Sequence, residues 1–408
     1  MAMTQSKYDV IVTGSGLAGL AAAALLSAAD ESLTIAVIDP TVLPLEPDPV
    51  RAGQRVSALT PASVKRFDAL GLWASMPQTH IAPFTAMRVW DAAVACGEGV
   101  CFSANEAGLS ELGTITDNLM LRWQLYQYLL ARPAVALIDA AMTDCNASRE
   151  QVVVQTDGTD EIAAKLLVGA DGRNSVVRRH AGIGIKTIDH QQIAVVTQLD
   201  TELAHYDTAF QRFLPEGPLA LLPLSDGRVS LVWTTSPTRA DEILAMDDKA
   251  FGAAVTDASD HVLGSLAPSL KRVSFPLISQ FAPDPIATRT VLLGDAAHAI
   301  HPLAGQGINL GFSDAAVLAD IAKDARGADL GDAPWLRRYR RRRIADNVST
   351  LYGLDLLNRL FAREQGAVAD LRRRGMRWFD RAGPLKRLAS GHAMGNPLGL
   401  LIARDGVS

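Results

Sequence analysis

The chemistry in this 408-residue chain is concentrated in three short runs of small residues, two containing an acid and one followed by an acid at the end of the next apolar run. The first is Gly14-Ser15-Gly16-Leu17-Ala18-Gly19, a G-x-G-x-x-G, with Asp39 following at the end of the next apolar run. Glycines at this spacing permit a tight strand-to-helix turn and let the backbone approach a pyrophosphate, whose charge the helix N-terminus stabilises. An acid ending the second strand can hold ribose hydroxyls. The pattern points to a bound dinucleotide and does not by itself separate FAD from NAD.

The second run is Leu292-Leu293-Gly294-Asp295-Ala296-Ala297-His298, continuing through His301-Pro302-Leu303-Ala304-Gly305-Gln306-Gly307-Ile308-Asn309. Asp295, at the carboxyl end of a strand, is placed to accept hydrogen bonds from a polyol such as a ribityl chain. Gly305 and Gly307 permit close backbone approach at the start of a helix beginning near Ile308. Free N–H groups there could stabilise negative charge on a reduced flavin. The third run, Gly169-Ala170-Asp171-Gly172-Arg173-Asn174-Ser175, is a strand-to-helix turn with an acid and several donors. His298 and His301 are the candidates for moving a proton, but no aspartate at a legible spacing marks either as a base, and holding the loop is the simpler role for both.

These runs need elements to carry them. Tyr8 to Thr13, Gly19 to Ala29 and Thr34 to Asp39 read as a βαβ unit. A helix follows Pro61, and Leu119 to Ala131 has helical spacing. Gln151 to Thr156 and Glu161 to Val168 flank Asp157-Gly158, a hairpin signal. From Gln191 to Thr235 the text is strand-like, with an antiparallel hairpin around Asp226-Gly227, then a helical interval near Asp241 to Val255. Such an inserted sheet would wall a substrate pocket, and Phe213, Leu219, Leu221, Leu222 and Pro223 are its apolar candidates. The strand Thr290 to Gly294 returns the chain to the first unit, Ile308 to Ala325 is a helix, and the remainder is helical.

The fold class expected is α/β: a Rossmann-like nucleotide-binding domain from residues 1–75, 112–185 and 276–350, an inserted antiparallel β-sheet substrate domain from 76–111 and 186–275, and a C-terminal helical segment, 351–408. A hydrophobic fraction of 48% against 20% charged residues suits a globular protein. Three cysteines, Cys96, Cys101 and Cys145, form no even set and no Cys-x-x-Cys pair, which fits a reducing compartment and argues against structural zinc. Residues 331–408 hold sixteen Lys+Arg against seven Asp+Glu, although the whole chain has a net charge of −5. Arg337 to Arg343, broken only by Tyr339, and the arginines from Arg372 onward lie among apolar side chains. A solvated helix face and a surface for anionic lipid headgroups or an acidic partner both account for that pattern. No binding module for nucleic acid accompanies it. The expected place is the cytoplasm, with docking on the inner face of the membrane as the lipid reading requires.

In their order, the glycine fingerprint, the Gly169 to Arg178 segment and the GDAAH…HP segment resemble the class A flavoprotein aromatic hydroxylases. Within that class RVSALTPASVKRFDALGLW (Arg55 to Trp73), DNLMLRWQL (Asp117 to Leu125), HPLAGQGINLG (His301 to Gly311) and YRRRRIADN (Tyr339 to Asn347) resemble the ubiquinone-biosynthesis hydroxylases. The resemblance implies FAD held at Gly14, Gly16, Leu17, Ala18, Gly19 and Asp39, with Asp295 beside Gly294 on the ribityl chain. It places Pro302, Gly305, Gln306, Gly307, Ile308 and Asn309 around the isoalloxazine, Arg55 near the cofactor, and Asp171 at both FAD and nicotinamide. Where the family often has Glu-Asn-Arg, this chain has Asp117-Asn118-Leu119, so a basic contact is missing or comes from Arg122.

The resemblance also implies a reaction: reduced flavin and O2 form a C4a-hydroperoxide that an electron-rich, polyprenylated phenol ring attacks, in contact with other quinone-biosynthesis proteins. Only one G-x-G-x-x-G has a strand-to-helix setting, so electrons come from a transient NAD(P)H or from a redox protein. A hydroxylase of soluble aromatics, a flavin-dependent reductase and a non-catalytic flavin-bound scaffold subunit stay open on the sequence.

Overall fold

In a computed structural model, which describes residues 6–41, 46–48, 53–158, 161–300, 307–345 and 347, the chain is an α/β protein built on three sheets. The first is centred on parallel strands in the order Thr290–Leu292, Glu161–Gly169, Ser6–Thr13, Ile35–Ile38 and Val135–Ile138. Val10, Ile11, Val12, Ile35, Ala36 and Val37 are all fully buried, as expected for parallel strands covered on both faces. Antiparallel strands complete the sheet. Ile286–Ala287 joins one edge, and Val152–Thr156 pairs with the first half of Glu161–Gly169, as the Asp157-Gly158 signal predicts.

Helices Leu17–Ala29, Asn118–Leu130 and Gly307–Asp324 pack together against one face of this sheet through Leu20, Leu26, Leu121, Leu125, Phe312 and Leu318. The short helix Val176–His180 and the strands from Met142 to Thr156 cover the other face. Thr60 caps helix Pro61–Ala69 by accepting from Ser63 N–H, with proline at the first turn where its missing donor costs nothing.

The second sheet has the strand order His298–Ala299, Val273–Phe281, Lys186–Thr201, Val229–Thr235, Gly217–Pro223, Thr208–Leu214, Ala86–Asp91, Val100–Ser103. It is antiparallel but for one parallel pair, Thr208–Leu214 with Ala86–Asp91. The helical interval after it is two helices, Pro237–Ala245 and Asp248–Ala258, the second capped by Asp247 on Ala250 N–H. Both pack on one face of the sheet through Ile243, Phe251 and Val255. A three-stranded sheet, Val56–Leu59, Gly113–Asp117 and Ile81–Phe84, bridges the two larger ones.

A helix over residues 333–345 follows, and it divides the arginine run by helical period. Tyr339 and Arg343 are buried, Arg338 pairs with Asp324 at 2.5 Å and Arg340 with Asp284 at 3.4 Å, whereas Arg337, Arg341 and Arg342 are exposed. The expectation of one solvated or lipid-facing run is corrected for this part: a helix face recurs every three to four residues, so four consecutive arginines cannot share one environment. The expected segment 351–408, with Arg372 and the arginines after it, lies outside the described residues.

Candidate active site

Strand register brings the three runs together. Thr13 pairs with Gly169 and with Ile38, and Gly169 pairs with Leu292, so the strands end in one row and each chemical run begins where its strand stops. Ala170 N–H donates to Thr13 O, and Leu293 N–H to Gly169 O, closing the row. The packing allows no side chain at the crossings. Gly14, at φ +99°, faces the Ala170 carbonyl, and a Cβ on Gly19 would drive into Gly14 O. A Cβ on Gly294, at φ +56°, would come within 2.8 Å of Ala18 Cβ. Ala18 thus acts as the spacer between the fingerprint and the Gly294 turn, while Leu17 packs into the helical core.

Helix Leu17–Ala29 starts at Gly16 with no side-chain cap and no acid in its first turn. Its first N–H groups are therefore open to an anion. Asp39 accepts from Ser15 N–H at 2.7 Å and from Thr41 N–H and Oγ1, both at 2.7 Å. Burial opposes its ionisation, but the hydrogen bonds from Ser15 and Thr41 outweigh it and hold the carboxyl below its ordinary value. Arg122, on the helix Asn118–Leu130, donates from Nε to Ser15 O at 2.8 Å and from Nη2 to Ser15 Oγ at 2.6 Å. Its cation lies against the fingerprint loop and sets the loop's shape; Ser15 is a site residue that the glycine pattern passed over. Asp171 turns inward, accepting from Ser175 Oγ at 2.5 Å and from Val176 N–H at 2.6 Å. Buried Arg178 then joins the second and third runs by donating to Ala296 O at 2.9 Å and Arg173 O at 2.8 Å.

Asp295 presents its carboxylate to the cleft, exposed, on a turn whose neighbours Gly294 and Ala296 are buried. The protein crowded around it raises its pKa, against the pull of His298, Arg173 and Arg55. Behind this turn lies a group that the sequence did not reveal. Asp314, fully buried, accepts from His298 Nε2 at 2.5 Å, from Arg343 Nε at 2.6 Å and from Gly294 N–H at 3.0 Å. Burial works against its charge, but His298 and Arg343 outweigh it and hold the carboxyl well below the aspartate range. His298 is therefore part of a buried pair holding the loop. Tyr339 adds a bond from its hydroxyl to Leu292 O at 3.0 Å, and Arg343 reaches Asn347 at 2.6 Å, so Tyr339, Arg343 and Asn347 form one helix stripe behind Asp295. Sixteen positions separate His298 from Asp314, too far for any local spacing rule to join them. A second pair that the sequence hid, His80 and Asp117 at 3.2 Å, is buried beside the start of helix Asn118–Leu130.

Gly307 and Ile308 open the helix Gly307–Asp324, and Ile308 packs into the core. Asn309 is committed elsewhere: its amide donates to Ala58 O at 2.7 Å and accepts from Thr60 N–H at 3.0 Å and Ser63 Oγ at 2.9 Å. A contact from Asn309 to a bound flavin would have to come from its backbone. His301, Pro302, Gly305 and Gln306 lie outside the described residues.

The substrate wall needs a correction by strand parity. Leu219 and Leu221 point to the face covered by helices Pro237–Ala245 and Asp248–Ala258, in a core with Trp90, Phe210 and Trp233. Ala220 and Leu222, one residue out of step, take the opposite face, as does Phe213, which pairs with Pro218. By the same alternation Pro223 falls on the Leu221 side. The opposite face packs on the three-stranded sheet and meets the segment leading into it. Gln198 on it donates to Gly53 O at 2.7 Å, and the Arg55 cation sits 5.6 Å from the Phe275 ring centre. A continuous apolar run cannot declare which of its two faces is core, so the sequence could not make this choice.

The cradle fits a dinucleotide. Asp39 and Asp295 stand three strand positions apart at the carboxyl ends, roughly 14 Å at about 4.8 Å per strand, with the uncapped helix N-terminus between them. That provides an acid for each of two polyol segments and donors for the phosphates that join them, as FAD requires and as a single-acid NAD site does not.

Known proteins agree. The FAD binding domain family matches residues 7–345. The chain is 34% identical to 3-demethoxyubiquinol 3-hydroxylase of Escherichia coli, covering 96% of this chain and all of that one. It is 36% identical to the ubiquinone hydroxylase UbiL of Rhodospirillum rubrum, covering 95% of this chain and 89% of the relative. It is 34% identical to the mitochondrial ubiquinone biosynthesis monooxygenase COQ6 of Homo sapiens, covering 94% and 92%. The crystal structure of p-nitrophenol 4-monooxygenase PnpA from Pseudomonas putida superposes with a TM-score of 0.77 over 97% of this chain and all of that one, at 17% identity, and so shares its fold. With three runs converging on one flavin cradle and this relatedness along nearly its full length, the chain belongs to the FAD binding domain family, among the flavin-dependent ubiquinone hydroxylases.

Proposed function

We propose that this protein uses bound FAD and O2 to hydroxylate the aromatic ring of a polyprenylated phenol in ubiquinone formation. The observation that supports the reading is the sheet face with Val196, Ala220, Leu222, Val232 and Phe275, which is free of the helix-backed core and meets Gly53 and Arg55. FAD, when bound, supplies two-electron storage and oxygen activation. The chain's own part is to bind, orient and exclude water. Asp39 and Asp295 hold the polyol segments, the helix N-terminus at Gly16 takes the phosphates, and the apolar wall keeps the ring dry. One atom of O2 enters the ring, the other leaves as water, and two electrons come from NAD(P)H or a reduced redox protein that docks from outside.

Incubating flavin-loaded protein with short-tailed prenylphenols, a reductant and isotopically heavy O2 is expected to give a product gaining one heavy oxygen atom. Flavin oxidation that yields only hydrogen peroxide with every ring tried would overturn the proposal in favour of a reductase or scaffold role. The prenyl tail assigns the substrate to the bilayer, and we take the exposed Arg337, Arg341 and Arg342, with the arginines from Arg372 on, as the docking surface. No described helix is long and apolar enough to cross a membrane. Removing residues 372–408 is expected to reduce co-sedimentation with anionic vesicles at least severalfold in low salt; unchanged sedimentation would assign those arginines to a solvated surface.

A further inference from the structure

The sheet face opposite the helix-backed core carries one row of side chains across six strands: Val273, Val196, Val232, Ala220, Gln211 and Val89. Five of the six are apolar. Gln211 is 6% exposed, its amide makes no side-chain hydrogen bond among the described residues, and its polar atoms keep contact with solvent. An amide among apolar neighbours with no protein partner adds nothing to the packing, and a leucine or methionine would fill the same volume. The strand has no need of it, since backbone pairing with Ala220 and Val89 is complete whatever the side chain.

Gln211 cannot be serving the helix-backed core, because parity sends its neighbours Phe210 and Arg212 there. Phe210 packs with Trp90 and Leu219, and Arg212 donates to Asp257 O and Ala258 O. On its own face the adjoining residue is Ala220, the smallest side chain of the row, set between Val232 and Gln211. A primary amide both donates and accepts, so it can pair with a phenol hydroxyl or with a quinone oxygen alike.

We propose that Gln211 is the substrate-recognition residue, hydrogen-bonding an oxygen substituent of the aromatic ring and setting that ring's orientation on the wall; this deepens, and rests on, the hydroxylase reading above. A site built to bond an oxygen rejects the ring that lacks it, because the amide is then left unpaired.

The test compares full-length, flavin-loaded wild type with Gln211→Met and Gln211→Glu, using a phenol bearing one prenyl unit and the same compound without its hydroxyl. Binding is read from the flavin absorbance, and KM and kcat from product. Gln211→Met is expected to raise KM for the phenol about tenfold, to lose most of the preference over the deoxy compound, and to keep wild-type flavin content with an unchanged or higher melting temperature. A wild-type KM and preference in Gln211→Met would overturn the assignment while leaving the hydroxylase reading intact. Loss of flavin or a lowered melting temperature in both variants would make Gln211 a structural residue and also overturn it. A wild type that neither binds nor hydroxylates any phenol would overturn the hydroxylase reading itself, and the assignment with it.

Discussion

Asp295→Ala is expected to give folded protein that purifies with little flavin. The turn around this residue does not depend on its side chain: Gly294 N–H is held by Asp314, Leu293 N–H by Gly169 O, and Ala296 O by Arg178. What the substitution removes is a carboxylate open to the cleft at the end of a parallel strand. Charge-assisted bonds to two sugar hydroxyls are together worth about 3 kcal/mol, so roughly a hundredfold rise in Kd for FAD is expected. The ratio of flavin to protein absorbance, with calorimetric titration of the stripped protein, measures it, and a normal yellow preparation would contradict the role.

Asp295→Asn has a second expected outcome, opposite in sign. Crowding raises the folded pKa of Asp295 above its ordinary value of 3.8, so the folded chain holds this proton more tightly than the unfolded one. The stability that this contributes is present below 3.8 and is lost as pH rises through the raised folded value. At neutral pH the ionised carboxylate is therefore a net cost to the flavin-free protein. The flavin-free Asn variant is expected to melt above flavin-free wild type at pH 7, with the difference vanishing below pH 3.8. A gap that stays constant with pH would show that charge is not its cause.

Asp314→Ala is expected to cost far more, because it strips the counter-charge from a buried cation. Arg343 would keep its guanidinium in the core, His298 would lose its acceptor, and Gly294 N–H would lose its partner. Breaking a buried pair from one side typically costs 3–5 kcal/mol, enough to consume much of the stability of a natural domain. The denaturant midpoint should fall accordingly. Flavin affinity should fall with it, since the turn that presents Asp295 is anchored on the same carboxylate. Replacing both ends, Asp314→Leu with Arg343→Met, should recover much of the stability without recovering flavin affinity to the same degree. The pH dependence of the wild-type pair is also fixed in sign. His298 and Arg343 depress the folded pKa of Asp314, so the pair's contribution is complete above 3.8 and is lost only as pH falls below it. An Asp314→Ala protein with the wild-type denaturation midpoint would remove this triad from the account.

Local rules are enough to bring the candidate site into view. A glycine fingerprint between an apolar strand and an alanine-rich helix, and an acid at a strand end, are patterns of a few residues, and they suffice to name Gly14, Gly19, Asp39 and Asp295 as candidates. The strands at Tyr8 to Thr13, Thr34 to Asp39 and Glu161 to Val168 were legible because each is a short apolar-rich run bounded by turn residues, whereas Val135–Ile138, Val56–Leu59 and Gly113–Asp117 were not read from sequence. Helix starts at Thr60-Pro61 and near Gly307 followed from chemistry within one turn.

What the chain alone determined, then, is which short segments can meet a dinucleotide and what each could contribute to it. Only the tertiary structure decided which side chains serve the reacting space and which serve the fold. Leu219 and Leu222 are the same residue type on one strand, yet one lies in the helix-backed core and the other packs toward the three-stranded sheet, because strand side chains alternate and the packing of the whole sheet chooses the face. His298 and Asp314 became a pair, and Arg343 left the surface run to join them, because three distant segments close on one buried point. Interactions over such separations leave no trace in local spacing; they exist only once the strands have set their register and the helices have been folded down upon them.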